Sequence, residues 1–287
     1  MASSTPLRIA VVQFAPKIGQ VQANIRRARE LCRKLQPRSV DLICFPEMIM
    51  SGELQFESAR SISPYLEHPK TGPTSQFCSE LSERIQCFVF AGYPERLASE
   101  ELNIKAHDSQ HETEATADST TSQIIGANSA VLYGPDGEWV GHYRKTNLFV
   151  TDKTWAKPGT AFATLHLPSP LRTVSFGICN DLNATEGEVW RIESGPYELA
   201  DYAVSQNADT LILLNAWLDS GTEKEEETDW YTLNYWAARL RPLWVGDDVT
   251  SEENRSNEAT EDGKETIVVV CNRTGEENGK SLYIHQI

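Results

Sequence analysis

The chain of 287 residues alternates short apolar runs with amphipathic stretches. An apolar run bounded by polar residues is typical of a strand that is buried on both faces. Such runs cover residues 7–15, 41–47, 87–95, 171–179, 209–217 and 265–272. Apolar residues at helical spacing predict helices at about 23–35, 74–86, 197–207 and 228–240. Because strands that alternate with helices form parallel βα units, the pattern predicts an α/β fold.

One pair of strands follows a different pattern. The runs 123–133 and 138–145 flank Gly134-Pro135-Asp136-Gly137, in which proline presets φ and glycine permits a positive φ. The sequence therefore predicts an antiparallel hairpin within an otherwise parallel arrangement. This mixture favours a layered α/β sandwich, and we expect residues 1–287 to form a single domain.

Acidic residues are concentrated in three stretches. Six acidic residues stand against one lysine in 98–122, and again in 219–229, while 246–265 has eight acidic and two basic residues. The stretches 98–122 and 246–265 are also poor in apolar residues and rich in small polar ones. Such composition predicts solvated, low-complexity insertions into the folded domain.

Composition and charge exclude several classes of function. A net charge of −15 repels nucleic acids and anionic membrane surfaces, and the apolar runs are too short for a membrane helix. The six cysteines include no C-x-x-C pair, so neither a zinc site nor a redox motif is indicated. Because the thiols are scattered and the first residues carry no secretory signal, we expect a cytoplasmic protein in a reducing compartment.

Three polar residues stand at the ends of apolar strands. Glu47 follows DLICFP, Lys145 ends the second hairpin strand, and Cys179 follows the run that ends in FGI. Polar groups at the carboxyl ends of buried strands converge on one edge of an open α/β sheet, where ligands bind. A buried glutamate and lysine without partners would cost several kcal/mol, so we expect them to pair with each other or to serve in catalysis.

In this order, FPEM, YRKTNLF and GICNDL resemble the signature of the nitrilase, or carbon–nitrogen hydrolase, superfamily. The opening RIAVVQF, the pair Pro158-Gly159 and the late CNRTG extend the resemblance over about 7–279. It implies a nitrilase-like α-β-β-α sandwich and an amide hydrolysis that needs no cofactor or metal. It assigns Cys179 as the nucleophile, Glu47 as the general base, and Lys145 with the backbone N–H of Asn180 as the oxyanion site.

Within the superfamily the chain is most similar to fungal protein N-terminal amidases. This resemblance rests on YRKTNLF followed by TDKTWA, and on GICNDLN, NAWLDS and NYWAARLRPL. It implies deamidation of N-terminal Asn or Gln of proteins to Asp or Glu, with release of ammonia, in the Arg/N-degron pathway. The partners would then be protein or peptide N-termini.

The resemblance also gives expectations for four further features of the site. Superfamily members usually carry a second glutamate after the lysine, and here Asp152 stands at that position, where it would orient Lys145 or bind substrate. Trp217 and Asp181 are candidate substrate-binding residues. We also expect the acidic run 219–229 to attract cationic N-termini.

The last residues depart from the superfamily pattern. The chain stops at SLYIHQI, where relatives normally continue with further strands, so we expect an incomplete C-terminal end. Two alternatives to the N-terminal amidase stay open: an amidase acting on small amides or N-carbamoyl compounds, and a truncated relative that binds without catalysis. The sequence predicts neither an Asn or Gln preference nor an oligomeric state.

Overall fold

The computed structural model describes residues 6–52, 56–103, 123–221, 228–244, 265–277 and 280–282. Its strands are β1 (Ile9–Val11), β2 (Leu42–Phe45), β3 (Phe88–Arg96), β4 (Gly126–Tyr133), β5 (Trp139–Arg144), β6 (Ala163–His166), β7 (Thr173–Ile178), β8 (Thr210–Asn215), β9 (Ile267–Asn272), β10 (Gly275–Glu277) and β11 (Lys280–Leu282). Its α-helices are α1 (Val21–Leu31), α2 (Ala59–Ile62), α3 (Pro73–Ile85), α4 (Ser99–Asn103), α5 (Glu198–Ser205) and α6 (Trp230–Arg239). Short 3-10 turns cover Ser63–Tyr65, Asp152–Thr154, Cys179–Leu182 and Arg241–Leu243.

The larger strands form two sheets. The first has the order β1-β2-β3-β4-β5, in which the first three strands are parallel and the last two antiparallel. The second has the order β6-β7-β8-β9, in which β7, β8 and β9 are parallel. Strands β10 and β11 pair with each other. The predicted mixture of parallel strands and one long antiparallel hairpin is confirmed.

Strand β2 shows why the apolar runs are continuous. Leu42 and Cys44 pack in the core between the two sheets, whereas Ile43 and Phe45 pack in the core beneath α1 and α3. Because successive side chains of a strand point to opposite faces, both faces of β2 must be apolar when both are covered.

Three apolar cores lie between the successive layers of helices and sheets. Between the sheets the rings of Phe90 and Phe176 lie 4.7 Å apart. Helices α1 and α3 cover the outer face of the first sheet, and α5 and α6 cover that of the second. The predicted α-β-β-α sandwich is therefore confirmed. Among the described residues, no helix is both long and apolar enough to span a membrane.

The helices and strands predicted from the sequence are present, and most of them are shorter than predicted. The turn between β4 and β5 forms as predicted, since Gly137 takes a φ of 79° and the N–H of Gly134 donates to the oxygen of Glu138. Strand β6 was not predicted, because three of its residues are only half-buried, His166 is exposed, and the strand carries no continuous apolar run. Leu31, the last residue of α1, is exposed, although the spacing of apolar residues in 23–35 predicts it on the buried face of the helix.

The predicted acidic insertions lie largely outside the described residues. Of 98–122, only 98–103 are described, in and around α4, and of 246–265 only Glu265 is. Residues 222–227 of the third acidic stretch and residues 283–287 at the end of the chain also lie outside the described residues. The single-domain boundary and the incomplete C-terminal end therefore stay predictions.

A buried carboxyl group is held at the start of α3. The side chain of Glu67 accepts hydrogen bonds from the backbone N–H of Thr74 at 2.7 Å and from its hydroxyl at 2.8 Å. Burial raises the pKa of Glu67 to about 7, although the Thr74 donors oppose the rise. In an unfolded chain the same group has a pKa of 4.5. Folding therefore favours the protonated form.

We predict that Glu67→Gln removes a pH dependence of stability. Because the folded pKa is raised, the Glu67 contribution is fully present below about pH 4.5 and is lost as the pH rises through about 7. Between those values the wild type should lose about 3 kcal/mol of unfolding free energy relative to the variant. Urea unfolding of both proteins from about pH 5 to pH 8 measures the difference. Parallel curves would show that Glu67 does not titrate in this range.

Candidate active site

A buried lysine joins two buried carboxylates. The Nζ atom of Lys145 lies 2.7 Å from Oε1 of Glu47 and 2.7 Å from Oδ2 of Asp152. Each of the three side chains is at most 1% exposed. The predicted pairing of Glu47 with Lys145 is confirmed by this contact, and Asp152 is brought to the same ammonium group.

The amide of Asn128 completes this cluster from the neighbouring strand β4. Its Nδ2 atom donates to Glu47 at 2.7 Å and to Asp152 at 3.1 Å, so it separates two carboxylates that would otherwise repel each other. Asp152 also accepts from the backbone N–H of Phe149 at 3.0 Å. Within the described part of the chain, the second oxygen of Glu47, Oε2, has no hydrogen-bond partner. A buried carboxylate oxygen without a partner is rare and often belongs to a reactive site.

The backbone around Glu47 is fixed by close packing. A Cβ atom at Gly92 of β3 would lie 2.6 Å from Cα of Glu47, so only glycine lets the end of β2 run against β3 here. The next residue, Met48, has a φ of 44°, which turns the chain sharply. From the second sheet, Arg273 donates through Nε to the Glu47 carbonyl oxygen at 2.9 Å.

Cys179 stands where β7 passes into a 3-10 turn. Its φ of 42° lies in the left-handed region, an unfavourable conformation for a non-glycine residue. Its backbone N–H donates to Oδ1 of Asn215, at the end of β8, at 3.1 Å. This turn ends the strand abruptly and places the cysteine at the carboxyl edge of the second sheet.

The other five cysteines are buried, whereas Cys179 is partly exposed. Burial raises the pKa of the Cys32 thiol to about 11 and that of Cys87 to about 12. Buried thiols of this kind stay protonated and unreactive. These five cysteines are core residues, as the places of Cys44 and Cys271 within apolar runs predict for those two, and Cys179 is the thiol that a substrate can reach.

Lys145 and Cys179 open onto one cavity of about 450 Å³, which we call the Cys179 cavity. Asn180 and Trp217, both predicted from the sequence, also line it, together with Phe149 and Glu57. The volume suits a small ligand or one end of a peptide. The structure thus brings Lys145, Cys179, Asn180 and Trp217 to one surface, with Glu47 and Asp152 behind Lys145.

Side-chain amides fix one wall of the cavity. Asn180 donates to the carbonyl oxygens of Asn147 and Leu148 at 3.2 and 3.3 Å, and its Oδ1 accepts from Asn183 at 2.7 Å. Tyr235 of α6 donates to Asn183 at 2.6 Å. The N–H groups in the first turn of a helix have no partner inside the helix, so the backbone of Asn180 is suited to donate to an oxyanion.

Trp217 is held from behind by other aromatic rings. Its ring centroid lies 5.9 Å from Tyr235 and 5.7 Å from Trp236, and its backbone N–H donates to Asn272 at 2.7 Å. Trp230, the first residue of α6, is exposed and is not among the residues that line the cavity.

Asp181 does not reach the cavity, contrary to its assignment as a substrate-binding residue. It is 1% exposed, and its oxygens accept five hydrogen bonds. The donors are Tyr143, both the N–H and the hydroxyl of Thr146, and the N–H groups of Asn147 and Ile178. Burial raises the pKa of Asp181, while the backbone donors oppose the rise. Through these hydrogen bonds, Asp181 connects the loop after Lys145 to the 3-10 turn that begins at Cys179.

Four polar residues of this region were not predicted from the sequence: Asn128, Arg273, Asn215 and Glu57. Asn128 carried a usable signal, since it is a single amide in the otherwise apolar or small run GANSAVLY. Arg273 follows the apolar run of β9 and Asn215 ends that of β8, just as Glu47 follows the apolar run of β2. Among the described residues, no group of three or more His, Cys, Asp or Glu side chains is arranged to bind a metal ion.

We predict that Asp181→Asn lowers stability and leaves substrate affinity largely unchanged. The amide nitrogen would face donors instead of accepting from them, which should cost about 2 kcal/mol of unfolding free energy. Chemical denaturation, with KM measured on the folded variant, tests this. A raised KM at unchanged stability would instead support the original assignment of Asp181 to substrate binding.

We predict that Gly159→Ala displaces the backbone that positions Lys145. The N–H of Gly159 donates to the carbonyl oxygen of Lys145 at 2.8 Å, and a Cβ atom at residue 159 would lie 2.3 Å from the backbone oxygen of Arg144. Backbone cannot yield as a side chain can, so we expect a loss of about 2 kcal/mol in stability and at least about tenfold in activity. Gly141→Ala on β5 is the control, because its Cβ would meet only a terminal methyl of Leu165. Equal effects of the two variants would contradict this prediction.

The chain matches known proteins over most of its length. Residues 8–195 match the carbon–nitrogen hydrolase family. A protein N-terminal amidase of Schizosaccharomyces pombe is 30% identical over 95% of this chain and 87% of its own length. A protein N-terminal amidase of Saccharomyces cerevisiae is 26% identical over 77% of this chain and 47% of its own length.

Solved structures show the same fold. A crystal structure of an N-terminal amidase with a Gln-Gly peptide superposes with a TM-score of 0.70 at 20% identity, covering 96% of this chain and 88% of that one. A carbon–nitrogen hydrolase from Helicobacter pylori superposes with a TM-score of 0.63 at 18% identity, covering 95% and 75% of the two chains. The nitrilase-like fold expected from the sequence is thereby confirmed. On the match to residues 8–195 and the shared fold, the chain belongs to the carbon–nitrogen hydrolase family.

Proposed function

We propose that the protein deamidates N-terminal Asn and Gln residues of proteins to Asp and Glu and releases ammonia. The observation that carries the proposal is the pair of Lys145 and Glu47, buried at 2.7 Å beside the cavity that also exposes Cys179. The choice of substrate is supported by the relatives named protein N-terminal amidases, one of them 30% identical over 95% of the chain. It is also supported by the fold neighbours solved with peptides that begin with Gln or Asn.

In the first half of the reaction Cys179 is the nucleophile. Glu47 takes the thiol proton, and the sulfur attacks the side-chain amide carbon to give a tetrahedral oxyanion. Lys145 and the backbone N–H of Asn180 stabilise that negative charge. Glu47 then returns the proton to nitrogen as the carbon–nitrogen bond breaks, so ammonia leaves and a thioester to Cys179 remains.

In the second half water replaces ammonia. Glu47 removes a proton from water, which attacks the thioester carbonyl at the same oxyanion site. The carbon–sulfur bond breaks, and the proton returns to the sulfur of Cys179. Glu47 needs an oxygen that can accept a proton in both halves, and Oε2, which has no partner among the described residues, fits this need.

The role proposed for Asp152 is to position the lysine. Its carboxylate holds Lys145 at 2.7 Å and keeps that amine in its charged form, since a neighbouring opposite charge favours ionisation. Lys145 thus remains an ammonium group while Glu47 gains and loses protons. We propose that this chemistry takes place in the cytoplasm as part of the N-degron pathway, in keeping with six free thiols.

We predict that Cys179→Ala abolishes ammonia release from peptides that begin with Gln or Asn. Loss of the nucleophile should lower kcat by about 10³-fold or more, because neither partner of a nucleophile and base pair acts alone. Ammonia is measured for wild type and variant, with Cys32→Ala as a thiol control that lies away from the cavity.

Substrate controls separate the proposal from its alternatives. Free glutamine, N-carbamoyl amino acids and small amides should be poor substrates beside the peptides. Turnover of those compounds without turnover of the peptides would favour a different amidase of the same family, as would befit the relatives named nitrilase. A folded wild-type protein that acts on none of these compounds would favour a binding role.

A further inference from the structure

The Cys179 cavity contains a carboxylate that the proposed reaction does not use. Glu57 lines the cavity and is exposed to solvent. Its carboxylate makes no hydrogen bond or ion pair with any other described residue. Glu47 and Asp152, in contrast, both bind Lys145. Of the cavity-lining residues that the structure describes, Glu57 is the one with a negative charge.

The position of Glu57 is nevertheless well defined. The preceding Phe56 is 4% exposed, and its ring lies 5.0 Å from that of Tyr65. The following Ser58 caps helix α2 by accepting from the N–H of Ser61 at 3.2 Å. A core side chain on one side and a helix cap on the other therefore hold the backbone of Glu57 beside the cavity.

We infer that Glu57 binds the α-ammonium group of the N-terminal residue and makes the enzyme selective for free N-termini. The inference rests on the proposed function. Such a substrate carries a neutral amide at the end of its side chain and a positive charge a few bonds away. The amide must lie at Cys179 and the oxyanion site, so the ammonium group requires an acceptor elsewhere in the same cavity.

The charges of the cavity favour one orientation of the substrate. Lys145 attracts the developing oxyanion, while Glu57, another residue of the cavity lining, attracts the ammonium group. A bound substrate excludes water from Glu57, which strengthens a charge-assisted hydrogen bond that would be weak in solvent. An amide whose neighbouring amine is acetylated, or part of a peptide bond, offers no cation to Glu57.

The test compares two substrates with each enzyme variant. A Gln-initiated peptide is assayed with a free and with an acetylated N-terminus, using wild type, Glu57→Gln and Glu57→Asp. We expect Glu57→Gln to lower kcat/KM for the free peptide about tenfold or more, mainly through KM, with no change for the acetylated peptide. Glu57→Asp keeps the charge and should retain part of the lost activity.

The control is Glu188→Gln, which removes an exposed acid from the nearby loop that follows Asn183 and does not line the cavity. It should leave both substrates unaffected at about 0.15 M salt, where distant charges are screened. If Glu57→Gln acts on free and acetylated peptides as wild type does, or loses activity equally on both, the inference is overturned. A wild type that releases no ammonia from the free peptide, although folded, overturns the proposed function and the inference with it.

Discussion

The site depends on one buried ammonium group. Lys145 lies between Glu47 and Asp152 in a region without exposed surface, so the three charges cannot be stabilised by bulk water. Removing Lys145 would leave two buried carboxylates without a cation, and breaking a buried ion pair in this way commonly costs about 3–5 kcal/mol. The cluster carries one net negative charge. The amide of Asn128, which donates to both carboxylates, compensates for part of it.

The fold brings these charges together by the way its strands end. Glu47 follows β2, Lys145 follows β5 and Cys179 follows β7, so two sheets contribute to one cavity. Cys179, directly after β7, and Met48, three residues after β2, both adopt a positive φ. Such strain persists only where the surrounding structure holds it, and here Gly92, Arg273 and Asn215 supply close packing or hydrogen bonds.

Residues with a local signal were predictable from the sequence, and those whose role depends on distant contacts were not. Glu47 and Cys179 each follow an apolar run, and Lys145 ends the second hairpin strand. The burial of β2 on both faces explains why its apolar run is visible. Asp181 also follows such a run, yet its five donors come from elements that meet only in three dimensions. Glu57 lies in no regular element and precedes only a four-residue helix, so no periodicity marked it.

Asp152 binds Lys145 from a position where superfamily members usually carry a glutamate, although its side chain is shorter. Asp152 begins a 3-10 turn seven residues after Lys145, and its Oδ2 accepts both from Lys145 at 2.7 Å and from the N–H of Phe149 at 3.0 Å. The turn therefore moves the backbone close enough for a short carboxylate to reach the ammonium group. Phe149 lines the Cys179 cavity, so the carboxylate that holds the lysine also holds part of the wall. Both contacts are made by a single oxygen of Asp152, so the length of this side chain is matched to the loop that surrounds it.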